Sequence, residues 1–291
     1  MKQKKYVAVS IRILDEELEI GYAVLTNFSF IGIEELPDEV VVHFEEKDWT
    51  DEVRDKLNQS LATNLTNASI TNIEIILEKN WNEEWEKNIE AVQISDALVI
   101  TPECKKNNFN CKHKILINPK MSFGTGQHST TKLMAQMIEE FIKENGNQLK
   151  NLWVDAGTGT GVLAIIAAKL GVKKIFAFDI DEWAIENTIE NVNLNLVESQ
   201  IEVLLSSIDK YNFPDADCIC ANMYFDLVTR SFVKFYDSLK TNNGILFISG
   251  ILVFDRSDLL KSAEENGFEL VSEKQELEWC CFKFKIQDNS K

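Results

Sequence analysis

The first 77 residues alternate between short apolar runs and polar helical stretches. Apolar side chains two residues apart lie on one face of an extended chain, and Val7, Val9, Ile11 and Ile13 follow that spacing. The pattern predicts strands at residues 5–13, 28–33, 40–44 and 70–77, with helices at 15–25 and from Thr50, a candidate N-cap, onward. The resulting order, β-α-β-β-α-β, is the split βαβ arrangement of ferredoxin-like α+β domains.

From residue 96 onward, apolar runs of strand length alternate with helical segments. Strands are predicted at residues 97–100, 114–117, 151–156, 174–179, 201–205, 217–222, 244–249, 268–271 and 280–286. Helices are predicted at residues 130–143, 162–170, 181–194, 224–239 and 256–266. Such alternation is typical of an α/β domain with helices on both faces of a mostly parallel sheet. We therefore expect a doubly wound, Rossmann-like sheet here.

These two patterns divide the chain into three parts. Residues 1–76 are predicted to form the small domain, and residues 96–291 the large one. Residues 77–95 are predicted to form a linker helix, because Trp81 and Trp85 are four residues apart and share one helix face.

One turn in the large domain has the pattern of a ligand site. The predicted strand 151–156 ends at Ala156 and is followed by Gly157, Gly159 and Gly161 before the next helix. Glycine permits a sharp turn and a close approach of backbone amides to a ligand, and the amides that open a helix carry partial positive charge. The next predicted strand ends at Asp179, a spacing at which a carboxylate accepts hydrogen bonds from ribose hydroxyls. The pattern predicts a nucleoside-cofactor site.

The spacing of the glycines decides between two classes of cofactor. The dinucleotide fingerprint is G-x-G-x-x-G, but Val162 stands at the position of its third glycine. Asp155 precedes the turn by two residues, where its charge would repel a pyrophosphate. The D-x-G-x-G-x-G pattern is similar to the first motif of S-adenosylmethionine-dependent methyltransferases, whose cofactor has a cationic amino acid end and no pyrophosphate.

Two other segments are candidates for the same site. Residues 119–131 combine two glycines with a hydroxyl-rich run before a predicted helix, which suits a segment that folds over a bound cofactor. Ser129 or Thr130 is a candidate N-cap for that helix. Asn222 ends the predicted strand 217–222, and ligands of such sheets bind outside the carboxyl ends of the strands. Asn222 is therefore either an active-site residue or a cap for the next helix.

Composition narrows the classes of partner. The chain has 291 residues and a net charge of −17, which disfavours nucleic acid and suits a basic protein. It has neither an apolar run of membrane-spanning length nor an apolar signal core, so we expect a cytoplasmic protein. The six cysteines contain no C-x-x-C pair, which favours reduced thiols. Cys104, Cys111 and His113 have poor spacing for a metal site.

Four motifs make the chain similar to the methyltransferase family that acts on large-subunit ribosomal protein eleven, the PrmA-type enzymes. In chain order they are Asn80-Trp81…Trp85, Phe123-Gly124-Thr125-Gly126-Gln127-His128-Ser129-Thr130-Thr131, the glycine turn with Phe178-Asp179-Ile180-Asp181, and Ala221-Asn222. The second motif is the most specific, whereas the glycine turn alone marks only a superfamily. The resemblance covers about residues 78–286, and the first 75 residues match mainly in layout.

The resemblance implies a reaction and a set of site residues. It implies S-adenosylmethionine as cofactor, held by Thr131, Gly157, Gly159, Asp179 and Asn222, with Asn222 also positioning the acceptor amine. It implies methylation of lysine side-chain or N-terminal amines of the ribosomal protein, by a seven-stranded class I methyltransferase domain. Residues 1–76 would then bind the ribosomal protein. We expect a monomer that uses no metal and contacts neither nucleic acid nor membrane.

Six positions depart from the family's usual pattern. Thr158 and Thr160 stand where the family usually has cysteine and serine, and Ser129 stands where it usually has proline. After Asn222, residues 223–225 are Met-Tyr-Phe in place of isoleucine-leucine-alanine, beside the expected acceptor pocket. An alternative function is therefore a class I methyltransferase acting on another protein or a small molecule.

Two more distant alternatives are disfavoured. A nicotinamide-dependent oxidoreductase conflicts with Asp155 and Val162 in the glycine turn. A non-catalytic binding module conflicts with the presence of the turn, the acid and the asparagine together.

Overall fold

A computed structural model of the protein describes residues 5–36, 39–77, 89–120, 122–146, 148 and 151–287. The chain divides into two units, Met1–Trp81 and Asn82–Lys291. The predicted Asn80-Trp81…Trp85 helix lies outside the described residues, so the linker and its bounds remain a prediction.

The N-terminal unit is a four-stranded antiparallel sheet with two helices. Its elements are β1 (Lys5–Arg12), α1 (Leu18–Leu25), β2 (Gly32–Leu36), β3 (Glu39–Glu45), α2 (Asp51–Asn64) and β4 (Ser69–Leu77). The strand order is β2-β3-β1-β4, and each neighbouring pair is antiparallel. Val9, Ile11 and Phe44 are fully buried in its core, as the alternating pattern of the strands predicts.

Two local predictions in this unit have different outcomes. Thr50 is the N-cap of α2, and its Oγ1 accepts a hydrogen bond from Val53 N at 3.3 Å. The strand predicted at residues 28–33 begins only at Gly32. The chain leaves α1 through a turn in which Phe28 N donates to Leu25 O, so Phe28 packs against the core from a loop.

A small sheet precedes the large one. It contains β5 (Val92–Gln93), β6 (Leu98–Thr101) and β7 (His113–Leu116) in the order β5-β6-β7. Residues 103–108 form a 3-10 helix in the loop before β7. Within the described ranges, no three histidine, cysteine or acidic side chains form a metal-binding group, and all six cysteines are free of disulfides.

The large sheet has seven strands. Its strands are β8 (Leu152–Ala156), β9 (Lys174–Asp179), β10 (Ile201–Leu205), β11 (Cys218–Asn222), β12 (Ile245–Leu252), β13 (Phe268–Glu276) and β14 (Trp279–Ile286). The order is β10-β9-β8-β11-β12-β14-β13, with parallel pairing from β10 to β12 and antiparallel pairing of β14 with both neighbours. The predicted seven-stranded, mostly parallel sheet is thus confirmed. The order reverses direction between β8 and β11, which is where ligands bind in such sheets.

Helices cover both faces of this sheet. They are α3 (Ser129–Asn145), α4 (Val162–Lys169), α5 (Glu182–Leu194), α6 (Phe225–Thr229), α7 (Phe232–Leu239) and α8 (Arg256–Glu265). The prediction of one helix at 224–239 is wrong, because one helix ends at Thr229 and a second begins at Phe232. Thr229 Oγ1 donates to Phe225 O and Ser231 Oγ donates to Leu227 O, and such hydroxyl bonds bend a helix. No helix in the described part of the chain is long and apolar enough to cross a membrane.

Candidate active site

A cavity of about 700 Å³ opens at the carboxyl ends of β8, β9 and β11. This volume lies within the range of about 300–1,000 Å³ that is common for small-molecule sites. The five residues that the family resemblance implies all line it: Thr131, Gly157, Gly159, Asp179 and Asn222. The cavity therefore brings together residues from α3 and from three strand ends, although their roles remain a prediction.

The glycine turn forms the floor of the cavity. Gly157, Gly159 and Gly161 have φ angles of 71°, 58° and 83°, a region that other residues rarely adopt. A Cβ atom on Gly159 would lie 2.3 Å from the carbonyl oxygen of Phe123. Glycine is thus required here both for the backbone conformation and for the close approach of the Phe123 segment.

Asp155 supports the turn from below. Its side chain is 2% exposed, and its Oδ2 accepts hydrogen bonds from Thr158 Oγ1 at 2.7 Å and Ala164 N at 3.2 Å. It is not among the described residues that line the cavity. Its charge therefore does not face a ligand directly. Burial raises the pKa of Asp155 to about 6.

Asp179 lies at the end of β9 and is anchored by two backbone amides. Its Oδ2 accepts a hydrogen bond from Gly159 N at 3.0 Å, and its Oδ1 accepts one from Asp181 N at 3.1 Å. A carboxylate oxygen has two lone pairs, so each oxygen retains capacity for a further donor. The side chain is thus held in one orientation while it lines the cavity.

Thr160 ties the glycine turn to the segment that precedes α3. Its backbone N donates to Phe123 O at 3.0 Å, and its Oγ1 donates to Gly124 O at 2.8 Å. The side chain is fully buried. The threonine that departs from the family pattern therefore fixes residues 123–124 above the turn.

The N-cap of α3 is His128, not Ser129 or Thr130 as predicted. The helix already includes Ser129, and the preceding His128 has an extended backbone with φ −69° and ψ 138°. Its Nδ1 accepts a hydrogen bond from Thr130 N at 3.3 Å. The imidazole lies edge-on to the rings of Phe123 and Trp279, at centroid distances of 5.3 Å and 5.0 Å.

The two threonines after this cap face the cavity from a buried position. Thr131 Oγ1 is buried and has no hydrogen-bond partner among the described residues. Thr130 Oγ1 lies 2.8 Å from His128 Nδ1 and accepts a hydrogen bond from Asn222 Nδ2 at 3.3 Å. Sequence reasoning treated Thr130 only as a helix cap and missed its contact with Asn222.

The wall beyond Asn222 is largely apolar. Met223, Tyr224, Leu227 and Trp279 line it, and Tyr224 is 77% exposed. Phe225, the third residue of the Met-Tyr-Phe departure, does not line the cavity and packs against the core, which Met223 and Leu227 also contact. Two of these three residues, Met223 and Tyr224, therefore line the cavity.

Three asparagines on α5 and just beyond it hold the chain that leads into the site. Asn191 Nδ2 donates to Thr160 O at 2.9 Å, and its Oδ1 accepts from Asn118 N at 3.0 Å. Asn187 Nδ2 donates to Asn118 O, and Asn195 exchanges two hydrogen bonds with the backbone of Leu116. Their four-residue spacing was visible in the sequence, but what they bind was not.

Comparisons with known proteins identify the family. The family model described as ribosomal protein L11 methyltransferase (PrmA) matches residues 5–287. The ribosomal protein L11 methyltransferase of Lactococcus lactis subsp. cremoris (strain MG1363) is 33% identical over 262 residues, covering 86% of this chain and 79% of that protein. The protein of the same name from Chlorobaculum parvum is 31% identical over 283 residues, covering 96% of each.

A solved structure has a similar fold over about two thirds of this chain. The crystal structure of ribosomal protein L11 methylase from Lactobacillus delbrueckii subsp. bulgaricus matches with a TM-score of 0.61 and 26% sequence identity, covering 69% of this chain and 100% of that one. The family model spans nearly the whole sequence, and the three motifs that lie within the described residues all contribute residues to one cavity. The chain therefore belongs to the ribosomal protein L11 methyltransferase family.

Proposed function

We propose that this protein transfers a methyl group from S-adenosylmethionine to lysine side-chain or N-terminal amines of large-subunit ribosomal protein eleven. The observation that carries the proposal is the convergence of five predicted site residues on one cavity at the switch point of the sheet. The relatives named above are called methyltransferases of that ribosomal protein, which supplies the substrate class.

The described residues fit an adenosyl cofactor. An unpaired buried hydroxyl costs about 1–3 kcal/mol, so the cavity face of Thr131 favours a polar ligand that pairs with Oγ1. Asp179 has unused acceptor capacity for two ribose hydroxyls. Gly157 has no side chain, so a ligand can approach its backbone closely. A Cβ atom at this position would lie 3.3 Å from the Met223 side chain. We assign Thr131, Gly157, Gly159, Asp179 and Asn222 to cofactor binding on these grounds.

When bound, S-adenosylmethionine supplies an electrophilic methyl group on a sulfonium. The task of the protein is to present an amine with a free lone pair, although a lysine amine has a pKa of about 10.4 in water. Met223, Leu227 and Trp279 form an apolar wall that disfavours the charged ammonium and lowers the pKa of the amine. The released proton passes to water.

Asn222 aims the amine. Its side-chain carbonyl accepts a hydrogen bond from the amine, which directs the nitrogen lone pair, but it is not a base. Alignment of two reactants in this way is worth about 7–11 kcal/mol of the barrier. Positioning and desolvation therefore supply the rate without a metal or a covalent intermediate.

The predicted small domain, residues 1–76, is proposed to bind the ribosomal protein. The whole chain has a net charge of −17, and Glu34 and Glu35 are exposed on the edge strand β2, which suits a basic partner. A ribosomal substrate implies that the reaction takes place in the cytoplasm, and the net charge of −17 disfavours direct contact with nucleic acid. We also propose a monomer, because one chain supplies all five site residues.

The test is mass spectrometry of isolated ribosomal protein eleven after incubation with the enzyme and S-adenosylmethionine. We expect mass increases of one or more methyl groups on amines with the wild type and their loss with Asn222→Ala. Asn193→Ala, an exposed asparagine on α5, is the matched control and should retain activity. Methylation of a different protein or of a small molecule, with none on this substrate, would overturn the proposal in favour of another class I methyltransferase.

A further inference from the structure

Three side chains form a hydrogen-bonded chain beside the cavity. His128 Nδ1 lies 2.8 Å from Thr130 Oγ1, and Asn222 Nδ2 lies 3.3 Å from the same hydroxyl. The backbone N of Thr130 also donates to His128 Nδ1, at 3.3 Å. Thr130 is only 1% exposed, so its hydroxyl satisfies its hydrogen bonds within the protein.

The backbone amide determines the direction of every bond in this chain. A backbone N–H is always a donor, so His128 Nδ1 is an acceptor and carries no proton. The Thr130 hydroxyl must then donate its single proton to Nδ1. Its oxygen therefore accepts from Asn222, and the group of Asn222 that faces Thr130 is the NH₂.

This direction decides what Asn222 presents to the cavity. A carboxamide is planar, so an NH₂ held by Thr130 leaves the carbonyl oxygen for a donor in the cavity that Asn222 lines. The opposite orientation would aim the NH₂ at an acceptor amine and place a donor on its lone pair. That lone pair is the one required for attack, so the orientation of the carboxamide separates a productive from an unproductive site.

Two aromatic rings pack against the histidine, and among the described residues its side-chain polar contacts are both with Thr130. Its ring lies against Phe123 and Trp279, and both of these residues line the cavity. Phe123 belongs to the segment that Thr160 fixes above the glycine turn. Residues 123–124 are thereby connected, through Phe123 and His128, to the side of the cavity at which we propose that the acceptor amine binds.

We propose that Thr130 and His128 are positioning residues that orient the Asn222 carboxamide with its carbonyl oxygen toward the acceptor amine. This inference rests on the proposed function, since it is the amine that requires a carbonyl acceptor. Both residues line the cavity, and we assign their effect to the orientation of Asn222 rather than to direct contact with the reacting atoms.

Thr130→Val tests the proposal, because valine keeps the shape of threonine and removes the hydroxyl. We expect kcat to fall about tenfold, the effect of one net hydrogen bond, with KM for the ribosomal protein and the Kd of S-adenosylhomocysteine within about twofold of the wild type. Thr130→Ser keeps the hydroxyl and should restore kcat. His128→Leu should match Thr130→Val, whereas His128→Asn retains an acceptor oxygen and should be closer to the wild type.

A measurement without turnover separates orientation from activity. The side-chain ¹⁵N–¹H signals of Asn222, identified by their loss in Asn222→Ala, report the bond to Thr130 in the free protein. They should shift in Thr130→Val and return in Thr130→Ser. If Thr130→Val fails to fold, the same signals in His128→Leu and His128→Asn make the comparison.

The outcomes distinguish the inference from the proposed function. An unchanged kcat in Thr130→Val, or Asn222 signals that do not move in any variant, would overturn the inference. If the wild type methylates no amine but the signals shift as expected, the orientation stands and the proposed substrate is wrong. If kcat falls in Thr130→Val and Thr130→Ser does not restore it, Thr130 acts through packing and not through its hydroxyl, which would also overturn the inference.

Discussion

Replacement of Asp179 by alanine should weaken nucleoside binding by a predictable amount. Both carboxylate oxygens are held by backbone amides, from Gly159 and Asp181, and both retain a lone pair toward the cavity. A hydrogen bond to a charged group contributes about 1.5–3 kcal/mol net. The loss of one such bond to the ribose corresponds to a rise in Kd of about tenfold to 150-fold.

Isothermal titration calorimetry with S-adenosylhomocysteine measures this effect without turnover. A second titration with the 2′-deoxyribose analogue identifies the partner, because wild-type protein should prefer the ribose form and Asp179→Ala should not. Asp181→Ala is the matched control: it removes a carboxylate two residues away that caps α5 through Trp183 N at 3.0 Å, and its Kd should stay within about twofold.

Two results would refute the assignment of the ribose to Asp179. One is an unchanged Kd for S-adenosylhomocysteine in Asp179→Ala. The other is a weakened Kd with the preference for ribose retained, which would mean that Asp179 acts only by holding Gly159. Urea denaturation of the unliganded variant measures that structural part separately.

Three further predictions concern the stability of the turn. Because burial raises the pKa of Asp155 to about 6, above about 3.9 in the unfolded chain, folding takes up a proton between those values. The free energy of unfolding should therefore rise as pH falls from about 6 to 4, by up to about 3 kcal/mol relative to the Asp155→Asn variant. Urea titrations at several pH values measure this, and parallel pH profiles of the wild type and the variant would contradict it. Gly159→Ala should lower Tm and abolish cofactor binding, because its Cβ would lie 2.3 Å from Phe123 O. Gly146→Ala is the control: Gly146 has φ 59° and open space around it, so alanine there causes backbone strain without a clash. Equal losses of Tm in the two variants would exclude the clash. Asn191→Leu should cost about 3 kcal/mol of unfolding free energy in urea, since it leaves buried backbone groups unpaired, and a loss under about 1 kcal/mol would show that water replaces them.

Local chain geometry explains which parts of the site were predictable. The bounds of β9 and β10 match the prediction because each is a short apolar run ended by polar residues. The glycine turn and Asp179 belong to one βαβ unit, so spacing along the chain is enough to relate them. The cap of α3 was not predictable in the same way, because His128, Ser129 and Thr130 are adjacent and each can accept a hydrogen bond.

The acceptor side shows the same limit. A continuous helix was predicted at 224–239, but hydroxyls of Thr229 and Ser231 bond back to the preceding turn and divide it. Phe225, predicted to lie beside the acceptor pocket, packs against the core and does not line the cavity. The local sequence pattern therefore predicted neither the division of this helix nor which of residues 223–225 line the cavity.

The amino-acid sequence by itself determined the class of the large domain, the layout of the N-terminal sheet and helices before it, and the location of the glycine turn. These follow from hydrophobic periodicity and short spacings, which act over a few residues to a few tens of residues. Only the tertiary structure decided that Thr160 binds Gly124, 36 residues away, and that Asn222 binds Thr130, 92 residues away. Such contacts depend on the order of strands in the sheet, which no local pattern encodes, because strand order is settled by how all the elements pack together.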